Sequence, residues 1–195
     1  MTLDASSYFD HIRAYVSDQY IVHRGEGGEI VLRESYFRES ETKKSTRVVR
    51  LPYKGKAFAI KLDGRNNPLF DFLDNNGKEW CKRCDFVVFL CVDRKIYAYL
   101  FELKTKSLDA GSIIDQLNSG LHWCACFRKV IAQYTGDNRP IKVKKFVLTE
   151  NHNPGAYLDA EKKYLARDPS IRHYHYDEIE DLTLNDLENT SVNTV

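Results

Sequence analysis

At 195 residues, the chain is long enough for one domain with a sizeable buried core that needs no disulfide or structural metal. A hydrophobic fraction of 43%, with 12 Tyr and 10 Phe, excludes a disordered chain. No apolar run approaches the roughly 20 residues that span a bilayer, and the first residues lack the basic–apolar–small order of a secretory signal. We therefore expect a cytoplasmic protein with no membrane contact and five reduced cysteines.

The formal net charge is only +1, but the charges are unevenly distributed. From Asp177 onward there are acids and no Lys or Arg, which leaves 29 basic against 22 acidic residues in positions 1–176. A mildly basic body of this kind suits a phosphate-binding surface, although solvated surface lysines give the same count.

The N-terminal third predicts one helix followed by strands. Apolar residues recur at spacings of three and four over residues 4–20, which favours a helix. A glycine-rich break follows, and residues 29–37 fit either a helix or a strand. Further along we expect a loop at residues 38–46 and strands at residues 47–53 and 57–62. A short apolar patch follows at residues 69–73.

The strongest strand signal is a hairpin. Two apolar runs, residues 85–92 and 96–103, are separated only by Asp93, Arg94 and Lys95. Both runs are apolar at nearly every position, which is typical of strands covered on both faces.

The C-terminal half predicts a long helix over residues 112–133, with Ser112 as its N-cap. Strands are expected at 143–149 and 171–176, with a short helix near 158–166 between them. The acidic tail, residues 177–195, is expected to form a terminal helix or a frayed end. The whole order predicts a single α/β domain with a central sheet, in which residues 1–45 form an N-terminal helix and embellishment.

Three charged residues stand at the ends of the hairpin strands: Asp85 opens the first, and Glu102 and Lys104 close the second. Alternate strand residues share a face, so Glu102 and Lys104 point the same way, about 6.6 Å apart. A two-residue loop at Arg94-Lys95 would place Asp85 opposite Lys104, with all three on one face, whereas a three-residue loop would turn Asp85 away.

Two carboxylates and one ammonium leave a net negative pocket, which suits a hard divalent cation such as Mg²⁺. Phosphodiester hydrolysis uses such a cation to generate hydroxide and to neutralise phosphate charge, and a nearby lysine stabilises the transition state. An ordinary surface ion pair would place the same residues at the same positions.

Asp85, then Glu102-Leu103-Lys104 at the end of the next strand, then Gln116 in the following helix, resembles the PD-(D/E)XK nuclease superfamily over about residues 80–135. The resemblance implies a restriction-endonuclease-like central mixed β-sheet flanked by helices. It also implies that Asp85 and Glu102 bind Mg²⁺ or Mn²⁺, Lys104 assists the nucleophile and Gln116 supports the site. Cys84 replaces the proline of the family name, and the candidates for an additional acidic metal ligand are Glu34 and Glu29.

The expected activity is metal-dependent cleavage of nucleic acid, most simply by a DNA endonuclease, with a homodimer as an open expectation. A basic cluster around a glycine turn is the candidate for backbone contact, although a solvated hairpin tip explains it equally well. Its members are Arg47, Arg50, Lys54 and Lys56.

Two further classes stay open. The same fold could serve as a catalytically inactive module that binds nucleic acid or a protein partner. A zinc-stabilised domain would use the cysteine pair Cys81 and Cys84, but Cys124 and Cys126 diverge on a helix and do not easily share one ion. His173 and His175 share a strand face, which suits a polar edge strand or a second metal site.

Overall fold

A computed structural model describes residues 4–22, 24–25, 28–37, 44–63, 81–105, 108–150 and 154–195. In these residues the chain forms two α-helices, α1 (Ala5–Tyr15) and α2 (Ala110–Thr135). The first strands are β1 (Ile21–Val22), β2 (Arg24–Gly25), β3 (Glu29–Phe37), β4 (Lys44–Pro52) and β5 (Lys56–Lys61). The others are β6 (Phe86–Val92), β7 (Lys95–Lys104), β8 (Ile141–Thr149), β9 (Tyr164–Leu165), β10 (Asp168–His175) and β11 (Asn193–Thr194).

The strands form one large mixed sheet and one small sheet. The large sheet has the order β1-β5-β6-β7-β8-β10-β9, with β11 paired to β8. β8 is parallel to both β7 and β10, whereas β5, β6 and β7 pair antiparallel. The small sheet has the order β2-β3-β4, so the ambiguous segment at residues 29–37 is a strand. The predicted α/β class with a central mixed sheet is confirmed.

Each face of the large sheet has its own apolar core. Residues of α1 and α2 pack on one face, which we call the helix face, against residues such as Phe89 and Leu100. The small sheet and the C-terminal segment cover the opposite face, where Leu32, Phe101 and Leu187 are buried together. The central strands are therefore covered on both faces, which explains their continuous apolar composition.

The hairpin between β6 and β7 turns at Asp93 and Arg94, not at Arg94 and Lys95. Both turn residues have positive φ, 49° and 59°, as a two-residue type I′ turn requires. Phe86 pairs with Phe101, and one step further Asp85 lies across from Glu102. The predicted pairing of Asp85 with Lys104 is therefore wrong by two residues, but an even shift leaves the side chains on the expected face.

The N-terminal helix is shorter than expected. Asp4 caps α1 by accepting a hydrogen bond from the Ser7 amide at 2.8 Å, and α1 ends at Tyr15. A 3₁₀ turn over Asp18–Tyr20 follows, and β1 then pairs with β5. The helical pattern extends past Tyr15 in the sequence because Val16 and Tyr20 are also partly buried against the core of the helix face.

The long helix begins two residues before the predicted start, and its N-cap is Asp109. The Asp109 carboxylate accepts from the amides of Gly111 and Ser112 at 3.1 and 3.3 Å, so Ser112 lies inside the first turn. The helix ends at Gly136, whose φ of 70° gives the left-handed C-cap that glycine favours.

No helix forms near residues 158–166. The Asp159 carboxylate instead accepts from the amides of Lys163 and Tyr164, at 2.8 and 3.2 Å, and holds a turn that leads into β9. Side-chain hydrogen bonds of this kind compete with helix formation.

The acidic tail is neither a long helix nor frayed. A 3₁₀ turn over Tyr176–Ile179 is followed by packed turns that bury Leu184 and Leu187, and then by β11. The expected apolar patch at 69–73 and most of the loop at 38–46 lie outside the described residues. Within the described residues, neither helix is long and apolar enough to cross a lipid bilayer.

Candidate functional site

The site lies at the end of the large sheet where β6 begins and β7 finishes. The Asp85 carboxylate is buried, and its Oδ2 accepts a hydrogen bond from the Leu103 amide at 2.6 Å. The Asp85 carbonyl accepts from the Leu62 amide at 3.0 Å, which continues the pairing of β5 and β6 by one residue. Asp85 is therefore held between two strands by hydrogen bonds to both.

Glu102 is the most deeply buried acid of the site, with an exposed fraction of 1%. Its Oε1 lies 2.5 Å from the Lys104 Nζ. Its Oε2 is also buried and has no hydrogen-bond partner. Buried polar atoms are nearly always paired, so this oxygen is an orphaned acceptor that a cation or a hydrogen-bond donor would satisfy.

The pKa values of both carboxyl groups, Asp85 and Glu102, are raised. Burial raises the pKa of Glu102 to about 7, against the opposing effect of the Lys104 ammonium. Burial also raises the pKa of Asp85 well above its usual range, and the nearby charge of Glu102 raises it further. Like charges in a water-poor site disfavour each other's ionised form, and a cation between them would reverse that effect.

Gln116 belongs to the same site. Its Oε1 accepts from the Lys104 Nζ at 3.2 Å and from the Ser112 hydroxyl at 3.2 Å. The Lys104 ammonium is thus fixed between a carboxylate of β7 and an amide of α2. The four predicted residues, Asp85, Glu102, Lys104 and Gln116, are therefore brought together.

The donor set fits a hard divalent cation, because it consists of carboxylate oxygens with one oxygen still unpaired. Glu34 does not complete a ready three-ligand group with Asp85 and Glu102. Its carboxylate pairs with the Lys61 ammonium at 2.7 Å, although its charge is among the causes that raise the pKa of Asp85. In the described part of the chain, no three His, Cys, Asp or Glu side chains lie close enough together to hold a metal.

The four bases of the predicted nucleic-acid contact have separate environments. Arg47 pairs with Glu150 and lies over the Tyr176 ring, with its guanidinium carbon 4.5 Å from the ring centroid. The other three are exposed: Arg50 pairs with Glu29 at 2.8 Å, Lys56 pairs with Asp10 at 2.6 Å, and Lys54 is in the turn before β5. Although their ion-pair partners differ, Arg47 and Arg50 line one cleft, and a role of the four bases in nucleic-acid contact stays a prediction.

Sequence reasoning missed a second polar pair beside the site. Thr149 pairs with Lys104 in the register of β7 and β8, and its hydroxyl lies 2.8 Å from Nε2 of His173 on β10. Both residues are buried, and burial lowers the pKa of His173 to about 4, so the imidazole is neutral at physiological pH. The alternation of charged and apolar residues in β8 is visible in the sequence. The parallel register that places Thr149 of β8 beside Lys104 is not.

The other predicted ligands are dispersed or engaged elsewhere. Cys84 and Cys124 are buried thiols whose pKa values are raised by burial, whereas Cys126 is exposed. His175 Nε2 lies 3.3 Å from the Glu150 carbonyl oxygen, and its Nδ1 lies 3.3 Å from the Asp177 carboxylate.

Searches against protein-family models, curated proteins and solved structures gave no match.

Proposed function

We propose that this protein is a divalent-cation-dependent nuclease of restriction-endonuclease-like fold that hydrolyses phosphodiester bonds, with DNA as its expected substrate. The observation that carries the proposal is the buried pair Asp85 and Glu102, with an unpaired oxygen on Glu102, beside Lys104. The large mixed sheet and the contact of Lys104 with Glu102 and Gln116 support the proposal, which follows the PD-(D/E)XK resemblance of the sequence.

In this proposal Asp85 and Glu102 hold Mg²⁺ or Mn²⁺. When bound, such a cation supplies a water of lowered pKa and neutralises charge on the phosphate oxygens. Asp85 is oriented by the Leu103 amide, and this contact fixes its carboxylate at the end of the large sheet.

Lys104 has the second role. Its ammonium is held by Glu102 at 2.5 Å and by Gln116 at 3.2 Å, which fixes a positive charge beside the carboxylates. A fixed charge of this kind orients the attacking water and stabilises the negative charge that develops on the phosphate. Gln116 is a positioning residue because it acts through Lys104.

The test is cleavage of supercoiled plasmid and single-stranded DNA and RNA, with Mg²⁺ or Mn²⁺ titrated against a chelator. We expect cation-dependent cleavage that is lost in Asp85→Ala and Lys104→Ala. Glu161→Gln is the matched control, since Glu161 is an exposed acid that pairs with Lys163 at 3.2 Å. Cleavage by folded Asp85→Ala at the parental rate would refute the proposal.

The second candidate is a non-catalytic module that binds nucleic acid or a protein partner. It is favoured by the finding that, over the described ranges, only two carboxylates meet in a site where three metal-ligating groups are not assembled. DNA binding that is unaffected by chelator, without cleavage by the parent protein, would support this candidate over the nuclease.

A further inference from the structure

Asp63 lies near the site, although no sequence pattern singled it out. It follows β5 by two residues, and the intervening Leu62 donates its amide to the Asp85 carbonyl. Asp63 therefore lies at the same end of the large sheet as Asp85. Its side chain is exposed, in contrast to the buried Asp85 and Glu102.

Two other acids near this end of the molecule have cationic partners. Glu34 pairs with Lys61 at 2.7 Å, and Asp115 pairs with Lys82 at 2.5 Å. Within the described part of the chain, Asp63 takes part in no hydrogen bond or ion pair. The Arg83 guanidinium lies close by, since it donates to the Leu62 carbonyl at 3.2 Å, but it makes no ion pair with the Asp63 carboxylate.

Asp63 shares a cleft with one residue of the site. It lines a cleft of about 530 Å³ together with Gln116, whose amide oxygen accepts from Lys104. The charge of Asp63 is among the causes that raise the pKa of Glu102, so the two carboxylates are within electrostatic reach. Glu102 is the residue with the buried, unpartnered Oε2.

We propose that Asp63 is a third carboxylate of the cation site and acts on the cation's bound water from the cleft. Magnesium and manganese keep several water molecules when proteins bind them through one or two carboxylates, so an acid outside direct contact still contributes. An indirect role agrees with the finding that no three metal-ligating side chains of the described residues are in direct reach of one ion. This inference rests on the proposed function, because it needs Asp85 and Glu102 to hold a cation.

The test measures Mn²⁺ affinity by calorimetry and by the electron paramagnetic resonance signal of free Mn²⁺. The parent is compared with Asp63→Asn, Glu102→Gln and Asp115→Asn. Asp115→Asn is the matched control, since it removes the same charge from the same cleft but from a residue already paired with Lys82. We expect Asp63→Asn to weaken Mn²⁺ binding about tenfold, Asp115→Asn to weaken it less than about twofold, and Glu102→Gln to abolish it.

The outcomes distinguish a role for Asp63 from the proposed function on which that role rests. If the parent binds Mn²⁺ and Glu102→Gln does not, but Asp63→Asn matches Asp115→Asn, then Asp63 has no role and the proposed function stands. If the parent binds no Mn²⁺, both are overturned. Circular dichroism of each variant confirms folding, which the exposed position of Asp63 should preserve.

Discussion

Replacing Glu102 with glutamine should stabilise the metal-free protein at neutral and alkaline pH. Glutamine keeps the shape of the side chain and an oxygen that accepts from Lys104, but it carries no charge. The charged carboxylate is costly in the parent because it is buried, has an unpaired oxygen and lies across from Asp85. Removing one charge also lowers the cost of ionising Asp85, because the charge of Glu102 is one of the causes that raise the pKa of Asp85.

The pKa of Glu102 sets the size and the sign of the effect. Folding raises this pKa from 4.5 to about 7, so the folded state binds the proton more tightly than the unfolded chain. The stability that the protonated form contributes is fully present below pH 4.5 and is lost as pH rises through 7. At about 1.4 kcal/mol per pH unit, the charged group costs the folded state about 3 kcal/mol at pH 8.

Thermal unfolding in chelator from pH 5 to pH 8 measures this effect. For a chain of this length, about 3 kcal/mol corresponds to a Tm difference of about 5–10 °C at pH 8, with Glu102→Gln the more stable protein. The difference should shrink toward pH 5, and Mn²⁺ should raise the Tm of the parent but not of the variant. A variant less stable than the parent at pH 8 would refute the reasoning, because it would mean that the ionised carboxylate is fully compensated.

Three further predictions concern the elements that support the site. Gly120→Ala should lower the Tm, since an added Cβ would lie 2.6 Å from the Cys84 Sγ, and the double variant with Cys84→Ala should recover part of the loss. Asp109→Ala should cost about 1 kcal/mol in chemical denaturation because it removes the N-cap of α2, whereas Asp109→Asn should cost less. Lys145→Ala should cost about 3 kcal/mol because it leaves the Asp168 carboxylate without its ammonium partner at 3.0 Å, and an unchanged denaturation midpoint would contradict this.

The hairpin shows how much of the site local patterns determine. Two apolar runs and a short polar connection were enough to predict β6 and β7, and the period of two placed Glu102 and Lys104 on one face. The exact turn was not predictable because Arg94-Lys95 and Asp93-Arg94 are both chemically acceptable loops. Asp85, Glu102 and Lys104 still share one face, as expected, because the two registers differ by an even number of residues.

The missed features depend on contacts between distant parts of the chain or on competing local hydrogen bonds. Thr149 and His173 meet only because β8 and β10 are parallel and in a register that no local pattern specifies. The turn at Asp159 was predicted as a helix because its apolar spacing allows one, yet one carboxylate takes two backbone amides that a helix would have used. Asp109 and Ser112 are both good N-caps, and the choice between them depends on where the preceding chain leaves the sheet.

Two buried ionic groups of the helix face, Lys145 and Glu102, differ in how completely their polar atoms are paired. Lys145 is buried, but its ammonium has a carboxylate partner in Asp168 and an amide oxygen of Asn118 at 2.8 Å. Glu102 is buried just as deeply, yet only one of its two oxygens is paired. A structural ion pair is expected to satisfy its buried atoms, as Lys145 does, because an unsatisfied charge in the interior destabilises the fold. The unpaired oxygen, beside a second carboxyl whose pKa is raised, therefore favours the proposed ligand-binding role of Glu102 over a purely structural one. In the proposed function, a divalent cation between the two carboxylates would offset the cost of both charges.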